Sequence, residues 1–222
     1  MHFHGRTPAY LLGFVIPLWL LLGVAITASF YPGYSHMAQA MSALGAVGAP
    51  TQVLSPLLNN YPLGLMFVVF AIAVYFTPGL PRLGRLSALL IGLHGVASLM
   101  AGAFPCDALC KPDVPSQAQQ LHNLAGAVML LSLLLASGIW AWLAFRLPLR
   151  GFGFISLILT VAAAASVPWM AAAAQMEQNF GLYQRFGYGV QVLWVACLAW
   201  TLIKYPLRVP PLGDGKGCGK GH

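Results

Sequence analysis

The residues able to do chemistry cluster in a few short stretches of this sequence. His36, Asp107 and His122 together make a two-histidine, one-carboxylate donor set. Zinc takes nitrogen and oxygen ligands of these types, and brings the pKa of a bound water down to about 7, which makes a nucleophile at neutral pH. Ser42 stands by as a fourth ligand or supporting hydroxyl, and Asp107 as a general base. Each has a plainer reading. Asp107 is also placed to cap a helix or to be a solvated loop charge, and His122 to be a core histidine bonded to Asn123 or to a neighbouring carbonyl.

Cys106 and Cys110 lie four residues apart in Phe104-Pro105-Cys106-Asp107-Ala108-Leu109-Cys110. The leading expectation is a small disulfide loop, which needs Cα atoms within about 7 Å. Paired thiolate metal ligands come second and free thiols last. Ser35, Gln39 and Ser42 recur at helical spacing with His36 beside them, and Met37, Met41 and Leu44 form the opposite side. This pattern predicts a short amphipathic helix at a membrane surface, ended by Gly45, Gly48 and Pro50. Gln39, Gln184 and Arg185 are the candidates for contacting a ligand. Arg185 is expected to pair with Asp107 or Glu177, to hold an anionic lipid or substrate head group, or to snorkel to the interface. His94 lies deep in an apolar run without a second histidine at its depth, so a structural histidine is expected there rather than a haem ligand.

The elements that must position these residues are membrane helices. Of 222 residues, 59% are hydrophobic and 7% charged, and mean hydropathy is +0.78. A soluble domain carries about 25% charged residues. Six apolar spans are predicted near 8–30, 61–79, 84–104, 119–145, 151–174 and 186–203, nearly all bounded by proline or glycine. The expected class is all-α: a polytopic bundle of about six transmembrane helices, with the short interfacial helix after the first. Residues 1–205 form one domain, and 206–222 a flexible Pro/Gly-rich tail. The first apolar run is longer than a signal-peptide core of about 7–15 residues, so an uncleaved span is expected.

The net charge of +7 does not point to nucleic acid, because the basic residues come in ones and twos between apolar runs. In a six-span arrangement nine of the eleven fall on one side and only Lys111 and Arg185 on the other. The positive-inside rule then puts both termini in the cytoplasm of a bacterial-type inner membrane and the chemistry-bearing residues outside.

Ser35-His36, the run Ser42-Ala43-Leu44-Gly45-Ala46-Val47-Gly48-Ala49-Pro50, Phe104-Pro105-Cys106-Asp107 with Cys110 and His122, and Gly181-Leu182-Tyr183-Gln184-Arg185 with Trp194 occur in an order that resembles the bacterial domain-of-unknown-function 998 family of integral membrane proteins. Where that family usually has a glutamate this chain has Ala43. The resemblance implies about six spans and carries no known activity. The outer-face set also faintly resembles intramembrane metal-dependent lipid hydrolases of the ceramidase and adiponectin-receptor type. Those combine a serine, an acid and three histidines, whereas two outer-face histidines are present here.

Two functions follow as expectations. The first is an outer-face polar pocket that binds a lipid head group, a small solute or a partner protein. The alternative is a zinc hydrolase acting on a lipid or amide through His36, Asp107 and His122.

Overall fold

The computed structural model describes residues 7–176 and 178–207. Six helices account for most of them: α1 (Thr7–Ser29), α2 (Tyr61–Tyr75), α3 (Arg82–Ala103), α4 (Gln117–Arg146), α5 (Arg150–Gln175) and α6 (Phe180–Lys204). With the turn Pro56–Asn60 counted into α2, all six are long and apolar enough to cross a membrane. The protein is an all-helical polytopic bundle, as its composition predicts. The largest shift from the expected boundaries is at α6, which starts six residues early, so Gly181–Arg185 forms its first turns.

Each helix packs on the next, and α6 packs back on α1. The order closes a ring. Successive helices run antiparallel, so 30–60, 104–116 and 178–179 gather at one end, here called the loop end. The opposite half is filled by a continuous core that includes Ile16, Phe67, Phe70, Ile91, Trp140 and Leu198.

Lipid offers no hydrophobic drive between helices, so close backbone approach must supply the contact. Gly64 of α2 and Gly95 of α3 do this reciprocally. A Cβ on Gly64 would lie 2.7 Å from the Gly95 carbonyl oxygen, and one on Gly95 2.6 Å from the Gly64 carbonyl oxygen. Gly102 presses on Asn60 and Tyr61 in the same way. Gly126 of α4 does not: a Cβ there meets nothing within 4 Å.

Proline shapes the entry to α2. Residues Pro56–Asn60 form one wide π-type turn. Pro62 has no N–H to offer the Leu58 carbonyl, and the Trp19 indole donates to it instead at 2.7 Å. An α1 side chain thereby satisfies a backbone acceptor that α2 leaves open.

The segment after α1 departs from the amphipathic helix expected there. It is a chain of turns followed by a five-residue 3-10 helix, Met41–Gly45, with Ala43 and Leu44 buried. The polar stripe itself is the cause. The Ser35 backbone N–H donates to Gln39 Oε1 at 2.7 Å, and the Ala38 N–H to Ser35 Oγ at 3.2 Å. Such local side-chain bonds compete with helix formation, and here they close turns.

Candidate functional site

The loop-end half of the ring encloses a cavity of about 1200 Å³. All six helices line it, and the 38–45 segment and Leu109–Pro112 rim its mouth. Space exists because the facing positions are small: Gly126 and Ala127 on α4, Ser166 and Ala174 on α5. It reaches Gln191, about 16 Å along α6 from Phe180 at 1.5 Å per residue. That is close to the middle of a hydrocarbon layer about 30 Å thick.

The start of α6 builds the rim. The Arg185 guanidinium donates to the carbonyls of His36 (2.7 Å), Gln39 (3.0 Å) and Gly181 (3.0 Å), and to the Tyr34 phenol oxygen (2.6 Å). Leu182 N–H donates to the Met37 carbonyl at 2.9 Å. Met41 N–H donates to Gln184 Oε1 at 2.7 Å. Gly181 is a glycine for want of room, since a Cβ there would strike the carbonyl oxygens of Gln39 and His36. Gly181-Leu182-Tyr183-Gln184-Arg185 is therefore a clamp that holds residues 34–41 over the cavity. Arg185, expected to meet a carboxylate or an anionic head group, is committed to carbonyl and phenol oxygens of its own chain. Gln39 and Gln184 do line the cavity. Glu177, the other suggested partner of Arg185, lies outside the described residues, as does the tail with Cys218 and His222.

Cys106 and Cys110 are joined in a disulfide, with Cα atoms 5.0 Å apart. Leu109 and Cys110 both take left-handed backbone angles to close the loop. Val47 N–H donates to the Cys106 carbonyl at 2.9 Å, and Ser42 Oγ lies 3.4 Å from Cys110 Sγ. The disulfide loop thus braces the 3-10 helix. Asp107 ties the same loop to α4. Its carboxylate accepts from the Ser116 hydroxyl (2.6 Å) and the Ser116 N–H (2.9 Å), while the Ser116 hydroxyl oxygen caps α4 by accepting from Gln119 N–H.

His122 lines the cavity. Its Nδ1 lies 2.8 Å from the Phe104 carbonyl oxygen and 3.1 Å from that of Ala101. Carbonyls only accept, so the proton of the neutral ring sits on Nδ1 and Nε2 is left as an acceptor. His36 is exposed beside the rim, edge-on to Tyr34 with centroids 5.2 Å apart.

These placements bear on the zinc expectation. Among the described residues no group of three or more His, Cys, Asp or Glu side chains converges to hold a metal ion. The His36 side chain is exposed beside the rim, the Asp107 carboxylate is taken by Ser116, and the cysteines are bonded to each other. The structure brings His122, Ser42, Gln39 and Gln184 to one cavity and leaves His36 and Asp107 out of its lining.

The pKa shifts of these two groups give the rim a pH dependence. Burial, then the nearby Arg185 charge, lowers His36 below 6.5. The Ser116 hydrogen bonds lower Asp107 below 3.8. A lowered folded-state pKa means that the unfolded rim binds the proton more readily. The contribution of each group is therefore complete above its ordinary pKa and lost as pH falls through the folded value. Hydrogen exchange of the 36–41 amides, corrected for intrinsic rates, is expected to quicken as pH drops from 8 to 5 through His36. Asp107 adds to this only below about pH 4.

Two further cavity residues escaped the sequence reading. Tyr188 and Gln191 line the deep part of the cavity from α6. His94 sits behind Tyr188, fully buried: its Nδ1 is 2.9 Å from the Met129 carbonyl oxygen, its Nε2 3.0 Å from the Tyr188 hydroxyl, and the Phe67 ring packs at 4.3 Å. The structural histidine expected at this depth therefore supports the cavity wall. Glutamine in a membrane span was the signal available, since a buried amide must find partners in lipid.

The family model described as "Protein of unknown function (DUF998)" matches residues 14–201, which takes in all of α2 to α5, most of α1 and nearly all of α6. The chain belongs to the DUF998 family. The match covers the clamp, the disulfide loop and every residue named in the cavity wall. No curated protein and no solved structure matches this chain.

Proposed function

We propose that this DUF998 chain is a binding protein of the membrane whose cavity holds a lipid head group or a small polar solute. One observation carries the reading: a cavity of about 1200 Å³ with polar side chains reaches from the loop end toward mid-membrane. Ligand pockets are typically about 300–1,000 Å³, apolar overall, with a few placed polar groups. Polar groups this deep are costly in lipid unless they face a partner or a cavity. The loop end is proposed to face outward from a bacterial inner membrane, with both termini cytoplasmic. The nine-to-two division of Lys and Arg supports that orientation, and a disulfide suits the oxidising side.

Gly126 gives a clean test. It lines the cavity and has open space where a side chain would project. Gly126→Leu is expected to leave the melting temperature unchanged or slightly raised, because leucine is about 0.8 kcal/mol better than glycine in a helix. It is expected to remove the ligand that co-purifies with wild-type protein and is seen by native mass spectrometry. A wild-type protein carrying no bound small molecule or lipid, or a variant that retains it in full, would count against the reading.

A further inference from the structure

The hydrogen bonds around the cavity decide which of its polar atoms stay open, and as what. At the rim the side-chain amides present donors. Gln39 Oε1 accepts from Ser35 N–H and Gln184 Oε1 from Met41 N–H, which fixes both amides and leaves their NH₂ groups open. In the deeper wall three side chains present acceptors, beside the Asn123 amide, whose Oδ1 accepts from Gln119 Nε2 and whose NH₂ is open. His122 Nδ1–H is committed to backbone carbonyls, so Nε2 accepts. His94 Nδ1–H donates to the Met129 carbonyl, so its neutral Nε2 takes the Tyr188 O–H and the phenol oxygen is left with lone pairs only. Gln191 Nε2 donates to the Leu130 carbonyl at 3.1 Å, and its buried Oε1 has no partner. Because every fixing partner of the rim amides and of these three side chains is a backbone carbonyl or N–H, or a ring whose own proton is fixed that way, flipping an amide or exchanging a tautomer does not reverse the pattern.

From this pattern we infer that the deep cavity takes a neutral, hydroxyl-bearing head group, a polyol or sugar, that donates to His122, Tyr188 and Gln191. The inference rests on the binding function proposed above and names its ligand class. A phosphate or carboxylate brings negative charge to the acceptor atoms of His122, Tyr188 and Gln191, and Arg185, the cation that might have held it, is committed to the rim. An ammonium would need a carboxylate, and none stands among the described lining residues, where Lys111 is a charged group at the mouth. A hydroxyl group matches the deep acceptors, and its oxygen, or an ester or glycosidic oxygen behind it, matches the rim donors. Gln191 Oε1 is buried with no partner within the protein, and a hydroxyl donating to it would satisfy that acceptor.

The test uses full-length protein in phosphatidylcholine nanodiscs, titrated by calorimetry with octyl glucoside, octyl phosphate and octyltrimethylammonium, each below its micellar concentration, and with free glucose. The expected result is saturable binding of octyl glucoside at least about tenfold tighter than either charged probe. Gln191→Met and Tyr188→Phe, both close in volume to the native residue, are expected to weaken it about tenfold each, the loss of one hydrogen bond. If free glucose equals octyl glucoside, the polyol is a soluble one; if the octyl chain is required, it is a lipid head group; both support the inference. Octyl phosphate or octyltrimethylammonium binding as tightly as octyl glucoside would overturn the head-group assignment and leave cavity binding standing. No saturable binding by any probe would overturn both. Should a variant fail to fold, the wild-type ranking decides alone.

Discussion

Replacing Arg185 with glutamine is expected to unfasten the rim and destabilise the protein by about 3 kcal/mol, within the range for a charged hydrogen-bond donor with several partners. The guanidinium reaches four oxygens, on His36, Gln39, Gly181 and Tyr34. Three of them lie on a segment without helical or sheet pairing of its own. A glutamine amide is shorter and brings two donors without charge. The carbonyls of His36 and Gln39 lie near the surface and will hydrate, which keeps the loss below the sum of the bonds. Arg185→Lys should recover less than half of it, because a single ammonium cannot span donors that a planar fork reaches together. Thermal unfolding in detergent measures the global effect, and limited proteolysis between residues 34 and 41 the local one. A variant with wild-type melting and an uncut rim would remove the clamp from the account.

The second large effect is at the α2–α3 seam. Gly95→Val is expected to cost about 3 kcal/mol and to lower detergent stability sharply, at the upper end of what overpacking causes. The added Cβ alone meets the Gly64 carbonyl oxygen at 2.6 Å, Val68 Cγ2 at 2.9 Å and Phe67 Cβ at 3.0 Å. The first and last are backbone or close to it and cannot swing away, so the helices must part. Since α2 and α3 also carry part of the cavity wall, ligand binding should fall with stability. Gly92→Ala is the matched control. Its Cβ would meet Ala71 Cβ at 3.4 Å, which is ordinary contact, and a change within about 1 kcal/mol is expected. Equal melting of the two variants would contradict close backbone packing as the seam's glue.

Much of the architecture was legible because hydropathy reports directly on membrane spans. The disulfide was legible from two cysteines four apart. The site was only partly so. Ser35 and Gln39 have helical spacing, but spacing says nothing of whether a polar side chain faces water or folds onto its own backbone, as these do. Arg185 carries a charge that suggests an anion. Its partners are carbonyls of residues some 150 positions away, and a sequence does not display such contacts. His36 and Asp107 have the right atoms for zinc, yet atom types do not reveal that a carboxylate is already taken by Ser116. Gly126 resembles the packing glycines of α3 in type and setting, and differs in facing empty space. Tyr188 and Gln191 matter because helix α6 turns them toward the cavity, and only the ring closure of α6 on α1 decides that.

Accessibility of one cysteine tests the central claim most directly. In a protein with Cys197 and Cys218 replaced by alanine and Gly126 by cysteine, a charged, membrane-impermeant thiol reagent is applied to one side of sealed proteoliposomes at a time. A cavity open at the loop end predicts labelling from the face that carries the Cys106–Cys110 loop, at a rate well above that of a cysteine placed at lipid-facing Leu131. No labelling from that face, or labelling from the face of the termini, would contradict it.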